Sequence, residues 1–214
     1  MDLVHFHFVG NLNGYRLKQR MLLCRQREPA PLDVPVTVHA HETTCPECQK
    51  TPYFKARAKE QAELLRFGQT DRLYLQERQQ KTYLFRGWLQ TITSHPWGHA
   101  SQLVCIRDIL AGGGNQAPYI AHHLWMRVPT TLRLPPRSQL PVFSVVEALG
   151  VCHPYTKKGH QMDYTVYPLT LTILSPPLQA TYYQILIERF ALLGNEDAEY
   201  KARAILALLE TRAS

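Results

Sequence analysis

The sequence predicts an α+β protein, mainly β, whose centre is a small five-stranded barrel over residues 82–175. Three observations lead to this fold class. Five successive stretches of that segment have strand character, and Gly87 interrupts the first of them. Stretches on either side repeat apolar residues at helical spacing. Of the 214 residues, 45% are apolar and 19% charged, so the chain can bury a core and is not a disordered polymer.

Changes in pattern divide the chain into three predicted parts. Residues 1–80 form a β-rich unit with one helix and a candidate metal knuckle, residues 81–176 form the barrel, and residues 177–214 form a helical extension. No run of about 18 apolar residues appears, which predicts no membrane span. The first ten residues alternate polar and apolar side chains, so we expect no secretory signal peptide.

The first part begins with strand-like stretches and ends with a helix. A turn signal at Asn11–Gly14 predicts that the first two strands pair as a hairpin. Helical spacing over Phe54–Phe67 predicts a helix that stops at Gly68. The three predicted strands of this part cover residues 1–10, 15–24 and 34–41.

The barrel segment alternates predicted strands with loops rich in glycine and proline. Gly87 is expected to let the first of these strands bend sharply. After Ser175–Pro177 breaks the chain, helical spacing returns over residues 180–193 and 196–211. The five predicted barrel strands cover residues 82–92, 102–110, 119–128, 138–151 and 163–174.

Short phrases of the barrel segment follow one another in a familiar order. FRGWLQTI is followed by QLVCIRDIL, by HLWMRV and then by a Pro-Arg-Ser step. This succession resembles oligonucleotide/oligosaccharide-binding (OB) domains and covers under half of the chain. The resemblance implies a five-stranded OB-like barrel that binds its ligand on the central strands and their flanking loops. The chain departs from the pattern between Val128 and Ser138, where many OB domains place a helix and this sequence has a stretch broken by prolines.

The charge of the chain points to an anionic partner. The net charge is +7, and residues 81–176 hold eight basic but only three acidic side chains. Cations that follow phosphates and rings that stack on bases are what a single strand of DNA or RNA needs. We therefore expect a single-stranded nucleic-acid-binding protein, although core packing would also explain many of these rings. The candidate contacts are Tyr83, Phe85, Arg86, Trp88, Arg107, Trp125, Arg127, Arg137, Tyr155, Lys157, Lys158 and Tyr164.

Four potential metal ligands lie within ten residues: His39, His41, Cys45 and Cys48. The two cysteines have the spacing of a zinc knuckle, and either histidine could complete a structural zinc site, with Cys24 a more distant candidate. A reduced CxxC without metal and a redox pair remain alternatives. The odd count of five cysteines favours thiols or a metal over a disulfide framework, and hence a reducing compartment such as the cytoplasm.

The residues do not form a recognisable catalytic pattern. The barrel segment holds only Asp108, Glu147 and Asp163 as acids, far apart in sequence, and no nucleophile-elbow, zincin or P-loop motif occurs. We therefore predict a protein that is not an enzyme. The alternative function is a structural or adaptor subunit of a larger complex, for example a nucleoprotein complex, whose terminal helices dock protein partners.

The loop that contains Lys157 and Lys158 gives the first testable prediction. If both ammonium groups contact phosphates, replacing both by alanine removes up to two released counterions. The slope of log K against log salt should then become shallower by roughly 0.7 per lost contact on a single strand. Titrations of an oligonucleotide at several salt concentrations measure the slope, and an unchanged slope with unchanged affinity would exclude a phosphate contact.

Overall fold

The architecture comes from a computed structural model of the chain. Its contacts divide the chain into two compact units, Met1–Glu63 and Leu64–Ser214. Within the described residues, no helix combines the length and the apolar character that crossing a bilayer requires. The structure describes residues 3–6, 11–12, 15–16, 21–22, 24, 28–29, 36–37, 40–94, 102–156 and 162–213.

The first unit combines short strand fragments with the start of the helical segment. The described part of the first predicted strand, β1, runs parallel to β6, with His5 opposite Val36. The other fragments pair as β2 with β3 and β4 with β5, both antiparallel. Helix α1 covers Pro46–Lys50 and α2 covers Pro52–Gln69. The strand fragments are β1 (His5–Phe6), β2 (Asn11–Leu12), β3 (Tyr15–Arg16), β4 (Met21–Leu22), β5 (Glu28–Pro29) and β6 (Val36–Thr37).

The second unit is built on one antiparallel sheet of five strands in the order β11-β10-β7-β8-β9. The five predicted strands are thus confirmed, although the fourth begins at Val145 rather than Ser138. Its expected first half instead contains a short 3-10 turn over Arg137–Gln139 and Phe143 with a positive φ of 64°. The strands are β7 (Thr82–Ser94), β8 (Gln102–Ala111), β9 (Tyr119–Val128), β10 (Val145–Thr156) and β11 (Met162–Ile173).

Gly87 marks the bend predicted for the first strand of this sheet. The register between β7 and β8 shifts between Arg86 and Trp88, on either side of the glycine. A Cβ atom at this position would lie 2.9 Å from the carbonyl oxygen of Arg107, so a larger residue would push the two strands apart. The close approach explains why the sequence places glycine here.

The sheet curls but does not close into the predicted barrel. Among the described residues, β9 and β11 form the two edges of the sheet, and no backbone ladder joins them. A side chain crosses between them instead: Thr165 Oγ1 donates a hydrogen bond to the carbonyl oxygen of Trp125 at 2.7 Å. The confirmed part of the prediction is therefore a mixed α+β fold with a five-stranded antiparallel sheet.

One helical segment covers the core of the sheet from its N-terminal side. Helix α3 (Leu73–Glu77) buries Leu75 completely, and Phe67 and Tyr74 pack edge to face with ring centroids 5.1 Å apart. The covering segment therefore precedes the first long strand. The connection between β9 and β10 provides only two short 3-10 turns, in agreement with its prolines.

The C-terminal segment forms the two predicted helices, α4 (Pro176–Leu192) and α5 (Glu196–Ala213). Helix α4 is the more deeply buried, with Tyr182, Tyr183 and Leu186 each at most 1% exposed. The break between the helices has Gly194 at a φ of 67°, a left-handed conformation that favours glycine. The side chain of Asn195 then caps α5 by accepting a hydrogen bond from the backbone N–H of Ala198 at 3.2 Å.

Arg72 joins the two edges of the sheet from the turn before α3. Its backbone N–H donates to the carbonyl of Ile120 at 3.0 Å, next to the start of β9. Its guanidinium donates to the carbonyl of His123 in β9 at 3.3 Å, and to Asp163 and the Tyr155 hydroxyl on the other side. The side chains of Arg72 and Asp163 are only 6% and 11% exposed. A buried ion pair therefore holds together two edges that ladder hydrogen bonds would join in a closed barrel.

Breaking this buried pair should destabilise the second unit strongly. Arg72→Met leaves the Asp163 carboxylate buried without its partner, and we expect a loss of about 3–5 kcal/mol in the free energy of unfolding. Urea denaturation followed by circular dichroism measures the loss. Arg66→Gln is a matched control, because it breaks an ion pair with Glu77 in which the arginine side chain is 51% exposed, and exposed pairs contribute about 0–1 kcal/mol. Equal losses in the two variants would contradict the bridging role.

Candidate functional site

The two cysteines of the CxxC motif lie at the start of α1. Cys45 is the N-cap residue, and Cys48 lies inside the helix. The backbone N–H groups of Thr44 and Cys45 both donate to the carbonyl of Val4 at 3.0 Å. The backbone N–H of Val4 donates in return to Thr44 Oγ1 at 2.8 Å. These bonds fix the knuckle to the segment that precedes β1.

A third cysteine meets this pair. The sulfur atoms of Cys24, Cys45 and Cys48 all lie within 4.8 Å of one another, and none of them is part of a disulfide. Around a tetrahedral zinc ion, Zn–S bonds of about 2.3 Å place the sulfurs about 3.8 Å apart. Shifts of roughly 1 Å or less would therefore bring the three thiols to coordination distance. The cluster can hold a metal ion with these three residues as ligands.

Burial sets the electrostatics of the cluster. Cys45 is 3% exposed and Cys48 is fully buried, in a small apolar cluster with Phe54. Burial raises the pKa of the Cys24 thiol to about 12, and the sulfurs of Cys48 and Cys45 add to this shift. Buried thiols bind a cation as thiolates when that cation compensates their charge. The burial of Cys45 and Cys48 argues against a surface CxxC.

Of the two histidines predicted as ligands, His41 does not join the cluster, and Cys24 does. His41 points to the surface with its side chain 54% exposed, and its Nε2 lies 3.7 Å from Glu42. His39 lies outside the described residues. Cys24 comes from 21 positions before Cys45, so spacing alone could not identify it. The signal in the sequence was that residues 1–80 contain a third cysteine, Cys24, besides the two of the CxxC motif.

Among the aromatic residues predicted to contact nucleic acid, the one with the most exposed ring lies on β9. Trp125 is 46% exposed, and His123 and Arg127, two residues away on either side, are also exposed. The residues between them point inward, because Leu124 and Met126 are fully buried. On the neighbouring strand, the residues opposite Arg127, Trp125 and His123 in the register are Leu103, Cys105 and Arg107, of which Cys105 is buried. These six residues are called the β8–β9 face below.

Three other predicted contacts of the first strand belong to the interior. Phe85 is fully buried, so its ring has no free face for a base. Tyr83 packs against the same core and meets Tyr74 edge to face with ring centroids 5.6 Å apart. The Arg86 side chain is only 10% exposed, and its Nε donates to Glu147 at 2.7 Å. Their positions fit packing and internal pairing better than contact with a ligand.

The remaining predicted contacts are scattered over the second unit. Trp88 donates its Nε1–H to Asp108 at 2.8 Å, and Arg137 donates to the carbonyl of Leu140 at 2.9 Å. Tyr155 donates to Asp163 at 2.8 Å, next to Arg72, and Tyr164 receives a hydrogen bond from Gln79 at 3.3 Å. Lys157 and Lys158 lie outside the described residues.

Residues 81–176, the segment predicted to form a barrel, contain three acidic residues, and each has a different partner. Glu147 pairs with Arg86, Asp163 with Arg72, and Asp108 accepts from the Trp88 indole. Burial raises the pKa of the Asp108 carboxyl, although the bond from Trp88 opposes the shift. These acids do not converge on a point where they could hold a catalytic metal ion together.

The sulfur cluster leads to a prediction about metal content. Protein purified without chelators should carry about one metal ion per chain, and Cys24→Ser, Cys45→Ser and Cys48→Ser should each lower that content. Inductively coupled plasma mass spectrometry measures it. Cys105→Ser is the matched control, because this buried cysteine lies on β8 and donates to Gln90 instead. A metal content that Cys24→Ser leaves unchanged would exclude the third ligand.

Comparisons with known proteins add little. No family model matches the chain, and no curated protein matches it. Nine chains among the solved structures match. One of them is described as "OBody NL8 bound to hen egg-white lysozyme". It shares 15% identity over 44% of this chain and 96% of that chain, with a TM-score of 0.30. A likeness this low identifies neither a family nor a function.

Proposed function

We propose that the protein is a non-catalytic, single-stranded nucleic-acid-binding protein. An OB-like domain in the second unit binds the strand on the β8–β9 face, and a structural zinc ion stabilises the first unit. DNA and RNA are both candidate ligands. One observation carries this proposal. The partly exposed ring of Trp125 lies between two exposed side chains, the Arg127 cation and His123, which becomes a cation when protonated.

The order of the strands supports the OB-like assignment. In the sheet order β11-β10-β7-β8-β9, the first long strand lies in the centre and pairs with the second and the fourth. The third and fifth strands are the edges, and the Thr165–Trp125 hydrogen bond brings them together. Curling a sheet of this order until its edges meet is the arrangement of a five-stranded, partly open Greek-key barrel. The binding surface of such barrels includes the second and third strands, which here form the β8–β9 face.

The side chains of the β8–β9 face match the chemistry of a single strand. Bases stack on flat rings without regard to sequence, and Trp125 offers such a ring in the middle of the face. Arg127 provides a guanidinium group on the same strand and the same face as Trp125, so a phosphate next to a stacked base would meet a cation. No carboxylate belongs to the six residues of the face, although the Asp71 carboxylate lies close enough to interact with His123.

Zinc is the metal that the sulfur cluster fits best. Thiolates favour Zn²⁺, and a structural zinc site has four ligands, of which three cysteines are present here. The fourth position of the tetrahedron would be filled by a further side chain or by water. A metal that binds the folded state and not the unfolded chain would add directly to the stability of the first unit.

An adaptor role is the second candidate, and the C-terminal helix favours it. Tyr200 and Leu208 of α5 are 75% and 53% exposed, which is unusual for large apolar side chains. A protein partner that covered them would make the chain a subunit of a larger complex. Co-purification of one partner, together with no affinity for any oligonucleotide, would favour this role over the first.

Trp125→Ala tests the stacking role. If the ring stacks on a base, the substitution should weaken binding of a single-stranded oligonucleotide by about 1–3 kcal/mol, roughly 5- to 150-fold, with little change in the salt slope. Fluorescence anisotropy against single-stranded DNA, single-stranded RNA and a duplex measures the affinity. Arg127→Gln should instead make the salt slope shallower by roughly 0.7.

Two controls separate a lost contact from a damaged fold. Leu178→Ala removes a 43% exposed apolar side chain of α4 away from the β8–β9 face, and it should leave the affinity unchanged. The melting temperature of each variant should stay near that of the parent protein, because Trp125 is half exposed. Parent-like affinity of a folded Trp125→Ala protein would overturn the proposed binding face.

A further inference from the structure

A groove in the second unit lies between the strands β7 to β9 and the helices α4 and α5. Its volume is about 610 Å³, within the range of small-molecule sites. Aromatic and aliphatic side chains line most of it, among them Phe143, Tyr183 and Phe190. Neither the metal cluster nor stacking on Trp125 uses this groove.

One end of the groove is polar and rigidly built. Asp108 has a φ of 52°, a left-handed backbone that residues other than glycine rarely adopt. The hydroxyl of Tyr182 holds this backbone by donating to the carbonyl of Asp108 at 2.7 Å. The carboxylate accepts from Trp88 Nε1 at 2.8 Å and lies 3.5 Å from the Tyr119 hydroxyl. Strained backbone held in place by its surroundings is a feature of ligand sites.

Arg107 brings an incompletely paired cation to the same end. Its Nε is buried and has no acceptor among the described residues. Its guanidinium lies 5.7 Å from the centre of the Trp88 ring, and Nη2 is within hydrogen-bonding distance of the His122 ring. The Asp108 carboxylate beside it is already engaged by Trp88. A guanidinium has five donors, and the N–H groups of its two Nη atoms can offer parallel hydrogen bonds to a carboxylate or a phosphate.

The other end of the groove opens to solvent beside α5. Leu208 lines this opening and is 53% exposed. The lysine on the rim, Lys201, is paired with Asp197 at 2.7 Å. Among the described lysines and arginines that line the groove, Arg107 is therefore the one with no ion pair to a carboxylate.

We propose that this groove binds a small planar organic anion. Its carboxylate or phosphate head accepts hydrogen bonds from Arg107, and its ring packs against the apolar wall formed by residues such as Phe143. Aromatic carboxylates and nucleoside monophosphates share this chemistry. This groove and the β8–β9 face share Arg107, so a substitution of Arg107 affects both sites, whereas Trp125 belongs to the face and does not line the groove.

Isothermal titration calorimetry with four probes tests the proposal. We expect saturable binding of 2-naphthoate or of adenosine 5′-monophosphate, and the one that binds identifies the source of the anion. Adenosine lacks the anionic head, and inorganic phosphate lacks the ring, so each should bind at least tenfold more weakly than the better complete probe. No saturable binding of either complete probe up to millimolar concentration would overturn the proposal.

Variants of Arg107 test the anchor. Arg107→Gln should weaken binding of the better probe at least tenfold, and Arg107→Lys should also weaken it, because lysine keeps the charge but loses the planar fork. Arg203→Gln is the matched control, since it removes an exposed arginine of α5 that pairs with Glu199 and does not line the groove. Parent-like affinity of a folded Arg107→Gln protein would overturn the anchoring role.

Two variants of Leu208 with opposite charges test the proposal without any change to Arg107. Leu208→Glu and Leu208→Lys both replace the same exposed leucine by a charged residue, so they differ mainly in sign. At low salt the glutamate variant should bind the anion more weakly than the lysine variant, and the difference should shrink as salt is added. Equal affinities at low salt would contradict binding of an anion in the groove. Trp125→Ala should leave probe binding unchanged, so failure of this site and failure of the oligonucleotide face can be told apart.

Discussion

The ion pair of Arg72 with Asp163 is the interaction on which the curled sheet depends. Taking two charges out of water costs several kcal/mol per ion, and only good geometry with further hydrogen bonds offsets that cost. Further hydrogen bonds are present here, because the guanidinium also reaches the carbonyl of His123 and the hydroxyl of Tyr155, while its buried Nε has no hydrogen-bond partner among the described residues. The two edge strands therefore stay together without a ladder. This arrangement fixes the orientation of the outer surface of β9, which includes Trp125.

Local patterns were enough to predict the strands and helices of the second unit. In β9 the buried residues Leu124 and Met126 alternate with exposed ones, which is the period that the sequence displays. Gly87 was recognisable as a bend because glycine inside a strand has few other uses. The start of β10 was misplaced, since an apolar stretch around Phe143 reads as strand although its backbone turns there.

Long-range partners could not be predicted in the same way. Arg72 lies in a polar connector, and the hydrogen-bond acceptors of its guanidinium are 51 to 92 residues away in sequence. Cys24 reaches the CxxC motif through the fold of the first unit. Phe85 and Trp125 are both aromatic residues of strands, yet one is fully buried and the other is 46% exposed. Which face of a strand turns inward depends on the rest of the sheet, so composition could nominate both rings but could not distinguish them.

The shallow attachment of α5 has a consequence for kinetics. Of the described side chains of this helix, Ala202 alone is buried, whereas the neighbouring α4 is embedded in the core. A helix held by so little buried surface opens at a lower free energy than the sheet beneath it. Its amide protons should therefore exchange with solvent through local opening, whereas those of β7 and β8 should exchange only through global unfolding. Because Gly194 separates α5 from α4, the helix can swing outward as a unit, and the rate of that motion would set how fast a molecule enters or leaves the space beneath it.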